Sequence, residues 1–273
     1  MKNNRRFFAV PYIVWMAIFV VTPIVLIAVY AFASRGGGGF TLANFATMGK
    51  YLSVFSRSFL LAIVSTIVCL LFGYPLAVIF AHETARIQKL MIMLIMLPMW
   101  MNFLLRTYAW MSILDSNGLL NRLLATLNLP QINIMYTPIA VVIGMVYNFL
   151  PFMILPIYSV VVKIDRSLIE AAQDLGGSPR MVFTRVTFPL SLPGVLSGIT
   201  MVFVPAVSTF VISQLLGGSK ELLLGDLIEM QFLGTAYNPQ LGSAISLVMM
   251  VVVMIFMYFM NRFGEGEDKA VLM

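Results

Sequence analysis

The chain has 273 residues, 60% of them hydrophobic and 10% charged, with 17 Lys and Arg against 11 Asp and Glu for a net charge of +6. A soluble globular domain is about a quarter charged, so the composition excludes an ordinary water-soluble protein and makes lipid the solvent for most of the chain. The single cysteine, Cys69, excludes a disulfide framework and reads as an inert thiol in an apolar run. The positive balance fits membrane orientation rather than nucleic-acid binding.

A hydrocarbon core of about 30 Å needs about 20 helical residues to cross it. Six apolar runs of that length follow one another, roughly Phe8 to Phe32, Phe59 to Ala81, Leu90 to Leu114, Thr137 to Val162, Pro193 to Leu216 and Leu241 to Met260. They lack period-2 alternation and are too long for barrel strands, so the predicted class is an all-α polytopic membrane protein with six transmembrane helices. The first run follows Lys2, Arg5 and Arg6 but is long for a signal peptide and reads as a retained span. With the N-terminus inside, eleven basic residues lie on the inner face and five on the outer, with Arg106 within a span, which predicts that both termini are cytoplasmic.

The outer loop from Ser34 to Ser58, with its run Gly36 to Gly39, reads as a flexible connector. A phosphate loop needs a lysine and a serine or threonine opening a helix, and no such stretch occurs, so ATP hydrolysis is not expected of this chain. No metal or nucleophile constellation is evident; His82 sits at the inner end of the second span as an interfacial side chain.

The inner loop KIDRSLIEAAQDLGGSPRMVFTRVTF, residues 163–188, is unlike the others. Ser167 and Glu170 have capping-box spacing, which predicts a helix start. Leu168, Ala171, Ala172 and Leu175 form one apolar stripe at i, i+3, i+4 and i+7. Gly176 and Gly177 suit a left-handed stop. Ser178 and Pro179 then start a second short helix, whose charge comes from Arg180 and Arg185. Two capped helices exceed what a simple turn requires, so the segment is either a well-ordered connection or a docking surface for an inner partner.

Glu170-Ala171-Ala172, then Gly176, then Pro189-Leu190 and Pro193-Gly194, resembles the EAA loop of bacterial ABC importer permeases. The runs LPMWMNFLLRTYAW from Leu97, TPIAVVIGMVYNFLPFMILPIYS from Thr137 and LLGGSKELLLGDLIEMQF from Leu215 are similar to the first permease subunit of spermidine/putrescine importers. The resemblance implies a MetI-like membrane domain at 58–262, after an N-terminal tail, first helix and outer loop at 1–57, and before an inner tail at 263–273. It implies a second permease subunit, two copies of a cytoplasmic ATPase that carries ATP and magnesium, and an external polyamine-binding protein; no cofactor is implied on this chain. It implies that the loop at 163–188 is the coupling element, with Glu170, Ala171, Ala172, Leu175, Gly176 and Arg180 meeting the ATPase.

A polyamine path calls for aromatic faces and polar groups rather than an aliphatic wall. Trp100, Asn102, Tyr108, Tyr147, Asn148, Ser208 and Gln214 are the candidates, with helix-to-helix contact the competing role for Asn148 and core or interfacial packing for the rings. Asp226 and Glu229, three apart, share a face if helical and either concentrate polycations at an outer mouth or are solvated or binding-protein contacts. Pro98, Pro151, Pro156 and Pro205 are expected to interrupt their spans. Arg106 is expected near the outer interface, snorkelling or repelling cations. The competing functions are a permease for an inorganic anion or iron complex, a secondary transporter, for which no inverted repeat is evident, and a non-transporting scaffold.

Overall fold

The computed structural model describes residues 4–35, 39–218, 221–234 and 236–270, with side chains described from residue 10 to 263 within that set. Among the described residues the only non-helical pairing is an isolated bridge between Ala33 and Phe40. Five helical segments are long and apolar enough to cross a membrane, and a bent pair makes a sixth. The all-α, six-span reading of the sequence therefore holds.

In chain order the helices are α1 (Asn4–Met16), α2 (Thr22–Phe32), α3 (Ala43–Met48), α4 (Leu52–His82), α5 (Ala85–Trp100), α6 (Phe103–Leu114), α7 (Leu119–Thr126), α8 (Pro138–Val161), α9 (Arg166–Asp174), α10 (Pro179–Val182), α11 (Phe188–Ser208), α12 (Leu224–Phe232) and α13 (Pro239–Ala270). Three single π turns, Ala17–Val21, Phe183–Thr187 and Ser213–Gly217, interrupt or extend them. The chain divides into two compact units, residues 1–53 with 227–254, and residues 54–226 with 255–273.

In the first unit, α1 runs through a π turn into α2, where the Thr22 hydroxyl donates to the Ala17 carbonyl at 2.9 Å. The connection that follows is not a flexible loop. Asn44 on α3 donates to the carbonyls of Ala31 and Ala33 at 2.9 and 3.0 Å, and Phe32 packs between Phe40 and Phe45 at centroid distances of 5.1 and 5.0 Å. Of the expected glycine connector, Gly36 to Gly38 lie outside the described residues; Gly39 has a φ of +133° that suits glycine.

The second unit is built on the packing of α8 against α11, with Met145, Met153, Ile157, Val202 and Val207 fully buried. Two glycines one turn apart let the backbones close. A Cβ on Gly194 would lie 2.9 Å from the Pro156 carbonyl oxygen, and one on Gly198 2.8 Å from Met153 Sδ. This is the small-residue spacing by which membrane helices approach one another. Cys69 is buried, with Sγ 3.9 Å from the Val146 carbonyl, as expected of a packing thiol.

Three expectations are corrected here. The third span is not one rod: α5 ends at Trp100, α6 begins at Phe103, and the pair is bent by 91°. Asn102 is the cause that the sequence carried, because its Oδ1 accepts from the Leu104 amide at 2.8 Å and so starts a new helix inside the apolar run. Arg106 therefore lies not along one straight span but in the first turn of α6, 8% exposed. Second, α8 is continuous through Pro151 and Pro156. Third, α10 is not a separate loop helix but the start of the fifth span, continuous through a π turn from Pro179 to Ser208 over 30 residues.

Candidate functional site

The loop between the fourth and fifth spans is ordered by caps at both ends of α9. The helix starts at Asp165 rather than at Ser167: the Asp165 carboxylate accepts from the Ser167 amide at 3.0 Å, and that backbone hydrogen bond, with a further one from the Ser167 hydroxyl, holds its carboxyl below the usual aspartate value. The Ser167–Glu170 capping box is thus displaced by an aspartate two residues earlier, a residue type preferred at the N-cap. At the other end Gly176 adopts φ +81°, and the amides of Gly176 and Gly177 donate to Gln173 and Ala172 at 2.8 and 3.0 Å. Nothing lies within 4 Å of a Cβ on Gly176, so its requirement is conformational, whereas a Cβ on Gly177 would meet the Ala172 carbonyl at 2.5 Å. Ser178 caps α10 as expected, accepting from the Met181 amide at 3.3 Å.

With both ends fixed, α9 has two distinct faces. Leu168 is 50% and Leu175 90% exposed, so the apolar stripe that also includes Ala171 and Ala172 turns away from the unit and is left largely uncovered. The opposite face carries Arg166, Ile169, Glu170 and Gln173, spaced i, i+3, i+4 and i+7, and lines a cavity of about 460 Å³. The rest of that cavity comes from the last residues of α4 and α8, including His82 and Val161, together with Gln88 and Thr187. Glu170 therefore does not share a face with the exposed leucines. Arg180 is exposed at the start of α10.

The loop is tied to the bundle by an aromatic knot that sequence reading missed. The Tyr74 ring on α4 packs edge-on against Phe183 and against Phe188, each at 5.9 Å, and its hydroxyl lies 2.9 Å from Ser191 Oγ. Gln88 fastens the other side, donating to the carbonyls of Ala81 and Glu83 and accepting from the Tyr158 hydroxyl at 3.1 Å.

The candidate path residues are scattered rather than convergent. Trp100 is 76% and Tyr108 47% exposed. Asn102 is engaged as the helix cap, and Gln214 is exposed in the third π turn. Tyr147 packs against Trp110 with ring centroids 5.3 Å apart, and the Ser208 hydroxyl donates to the Val204 carbonyl within its own helix. Asn148 is 2% exposed and donates to the Gly144 carbonyl at 2.8 Å, facing the protein interior.

Asp226 is not a solvent-facing mouth residue. It is 3% exposed, and its Oδ2 accepts from the Leu223 amide at 2.8 Å, which orders the start of α12. Glu229 is half-buried on the same helix. Glu221, 5% exposed, reaches a basic group here, its Oε1 accepting from Arg57 at 2.6 Å; the Ser58 hydroxyl next to Arg57 accepts from the Leu224 amide at 2.8 Å.

Long apolar helices, one of them broken, with a capped amphipathic helix presented bare between two spans, make a polytopic membrane protein, and the relatives make it a membrane transport component, a permease subunit. Residues 39–265 match the binding-protein-dependent transport system inner membrane component family, and the chain belongs to it. It is 37% identical over 283 residues to the spermidine/putrescine transport system permease protein PotB of Salmonella typhimurium strain LT2, covering 99% of this chain and 98% of that protein. The protein of the same name in Haemophilus influenzae is 38% identical over 269 residues, covering 93% and 94%. Among solved structures, a bacterial ABC transporter that imports the acidic polysaccharide alginate superposes with a TM-score of 0.77 at 20% identity over 97% of this chain and 96% of that one. A subunit of the MetNI methionine ABC transporter superposes with a TM-score of 0.60 at 16% identity, covering 81% of this chain and 98% of that one.

Proposed function

We propose that this chain is one of two permease subunits of an ATP-driven importer that moves spermidine and putrescine into the cell. The observation that carries the reading is end-to-end identity of 37% with inner-membrane permeases named for that transport. Both termini lie in the cytoplasm, an external binding protein delivers the polyamine, and two copies of an ATPase bind ATP and magnesium on the inner side.

The geometry of α9 supports the coupling role. Its bare leucines are the contact that a cleft of the ATPase buries, while Glu170 and Gln173 line the cavity behind it, toward the ends of α4 and α8. Closure of the ATPase pair on ATP pulls α9, and the continuous helix from Pro179 carries the motion into the fifth span. Gly176 sets the angle between the two elements, and Arg180 adds charge at the rim.

The test is reconstitution of the chain in liposomes with its second permease, ATPase and binding protein. ATP-dependent uptake of labelled spermidine or putrescine, competed by the unlabelled amine, is expected. Uptake of an anion or iron complex with no amine uptake overturns the substrate assignment.

A further inference from the structure

Among the described residues Arg106 is a charged group with no counter-charge to balance it. It is 8% exposed, and its Nε and Nη1 are sealed from solvent without a hydrogen-bond acceptor. Its nearest aromatic contact is the Phe103 ring, 5.9 Å from Cζ to centroid. Among the described residues no carboxylate lies within ion-pair distance of it. Asp115 accepts from the Asn117 amide, Glu221 pairs with Arg57, and Asp226 accepts from Leu223. An arginine keeps its charge in a protein interior, and a guanidinium removed from water without an acceptor is costly, more so at membrane depth. No anion among the described residues meets it, which points to one from outside the chain.

The surroundings indicate from where. Nη2 is the guanidinium nitrogen that is not sealed. The break and first turns of α6 beside it are open and apolar: Trp100 is 76% exposed, Met101 52%, Leu105 64% and Tyr108 47%. An apolar patch with one buried cation at its edge fits a protein surface that brings apolar side chains and one acid, whereas lipid tails supply the first and not the second.

We propose that the break between α5 and α6 is the contact with the second permease subunit, and that Arg106 receives an aspartate or glutamate side chain of that subunit. This rests on the two-permease reading above. Arg106 is then an assembly residue whose charge selects the partner, and the bend made by Asn102 is what brings it to the contact.

The experiment uses the complete transporter, purified through a tag on the second permease. With the wild-type chain, both permeases co-purify. R106Q is expected to lower recovery of this chain about tenfold or more, with R106K losing less, as when one member of a buried charge pair is removed. Because misfolding of R106Q would give the same loss, the deciding arm is charge exchange. The second permease's acids are neutralised one at a time, and the one that reproduces the R106Q loss is changed to arginine and combined with R106E. Restored recovery and uptake support the pairing. If R106Q co-purifies at wild-type level, or no acid of the second permease reproduces its loss and no exchange restores it, the pairing is overturned, the latter result making a lipid phosphate the anion. If the wild-type chain never carries a second permease, the two-permease reading falls first and this inference with it.

Discussion

The Tyr74 hydroxyl lies 2.9 Å from Ser191 Oγ, which in turn lies 2.8 Å from the Phe188 carbonyl, so the two hydroxyls and that carbonyl form one hydrogen-bonded chain. It joins the second span to the fifth just beyond the π turn through which the loop enters the bundle. Y74F keeps the ring against Phe183 and Phe188 and loses that bond, for an expected cost of about 1 kcal/mol. Y74A removes the ring as well and is expected to cost about 3 kcal/mol. Thermal unfolding of the purified complex measures both, and equal losses would mean that the rings contribute nothing.

The exposed stripe of α9 makes a different kind of prediction, because Leu175 at 90% exposure has almost no packing to lose within the chain. L175E, alone or with L168E, is expected to leave the unfolding temperature of the permease unchanged within the surface-substitution range of about 0.5 kcal/mol. It is expected to abolish ATPase co-purification and uptake. Retention of the ATPase at wild-type level would remove the docking assignment from this face.

Acid should loosen the start of α9. The Asp165 carboxyl is held below its ordinary value by the Ser167 amide, so its stabilisation is fully present above the unfolded-state value and is lost as pH falls through the lowered folded-state one. Amide exchange in residues 165–175, compared at neutral and acid pH, is expected to accelerate beyond the intrinsic pH effect. In D165N, which keeps a good cap without a titrating group, that excess should vanish; its persistence would assign the acid response to another group.

Adding a methyl between α8 and α11 tests their closeness. G194A places Cβ against backbone, 2.9 Å from the Pro156 oxygen and 3.0 Å from the Ile157 Cα, while the nearest atom to the corresponding Cβ in G198A is the movable Met153 sulfur at 2.8 Å. Overpacking of this kind costs about 1 to 3 kcal/mol. G194A is expected to be the more damaging, and thermal unfolding in detergent ranks the two.

The spans were readable from sequence because twenty apolar residues in a row have few other uses, and the loop was readable because its caps and stripe are local signals. What local pattern hid was competition and distance. Ser167 and Glu170 have the spacing of a cap, yet Asp165 reaches the helix end first. Asn102 looked like a polar residue in a path, although an asparagine that interrupts an apolar run is also a helix start, and it divides the third span. Asp226 and Glu229 promised a charged face; burial of the first follows from the chain folding back so that Leu223 needs an acceptor. The pairing of Arg57 with Glu221 joins residues 164 positions apart, and no periodicity reports a contact of that separation. The Gly194 and Gly198 pair was visible as a spacing, but its target on α8 was not.

The unbroken stretch from Pro179 to Ser208 has a mechanical consequence. Thirty residues at 1.5 Å each make a strut of about 45 Å, so a tilt of about ten degrees at its base sweeps the far tip through about 8 Å. A displacement of that size exceeds the width of an extended alkyl ammonium chain. The π turn at Phe183–Thr187 sits near the pivot, where a small change in winding is magnified along the whole arm.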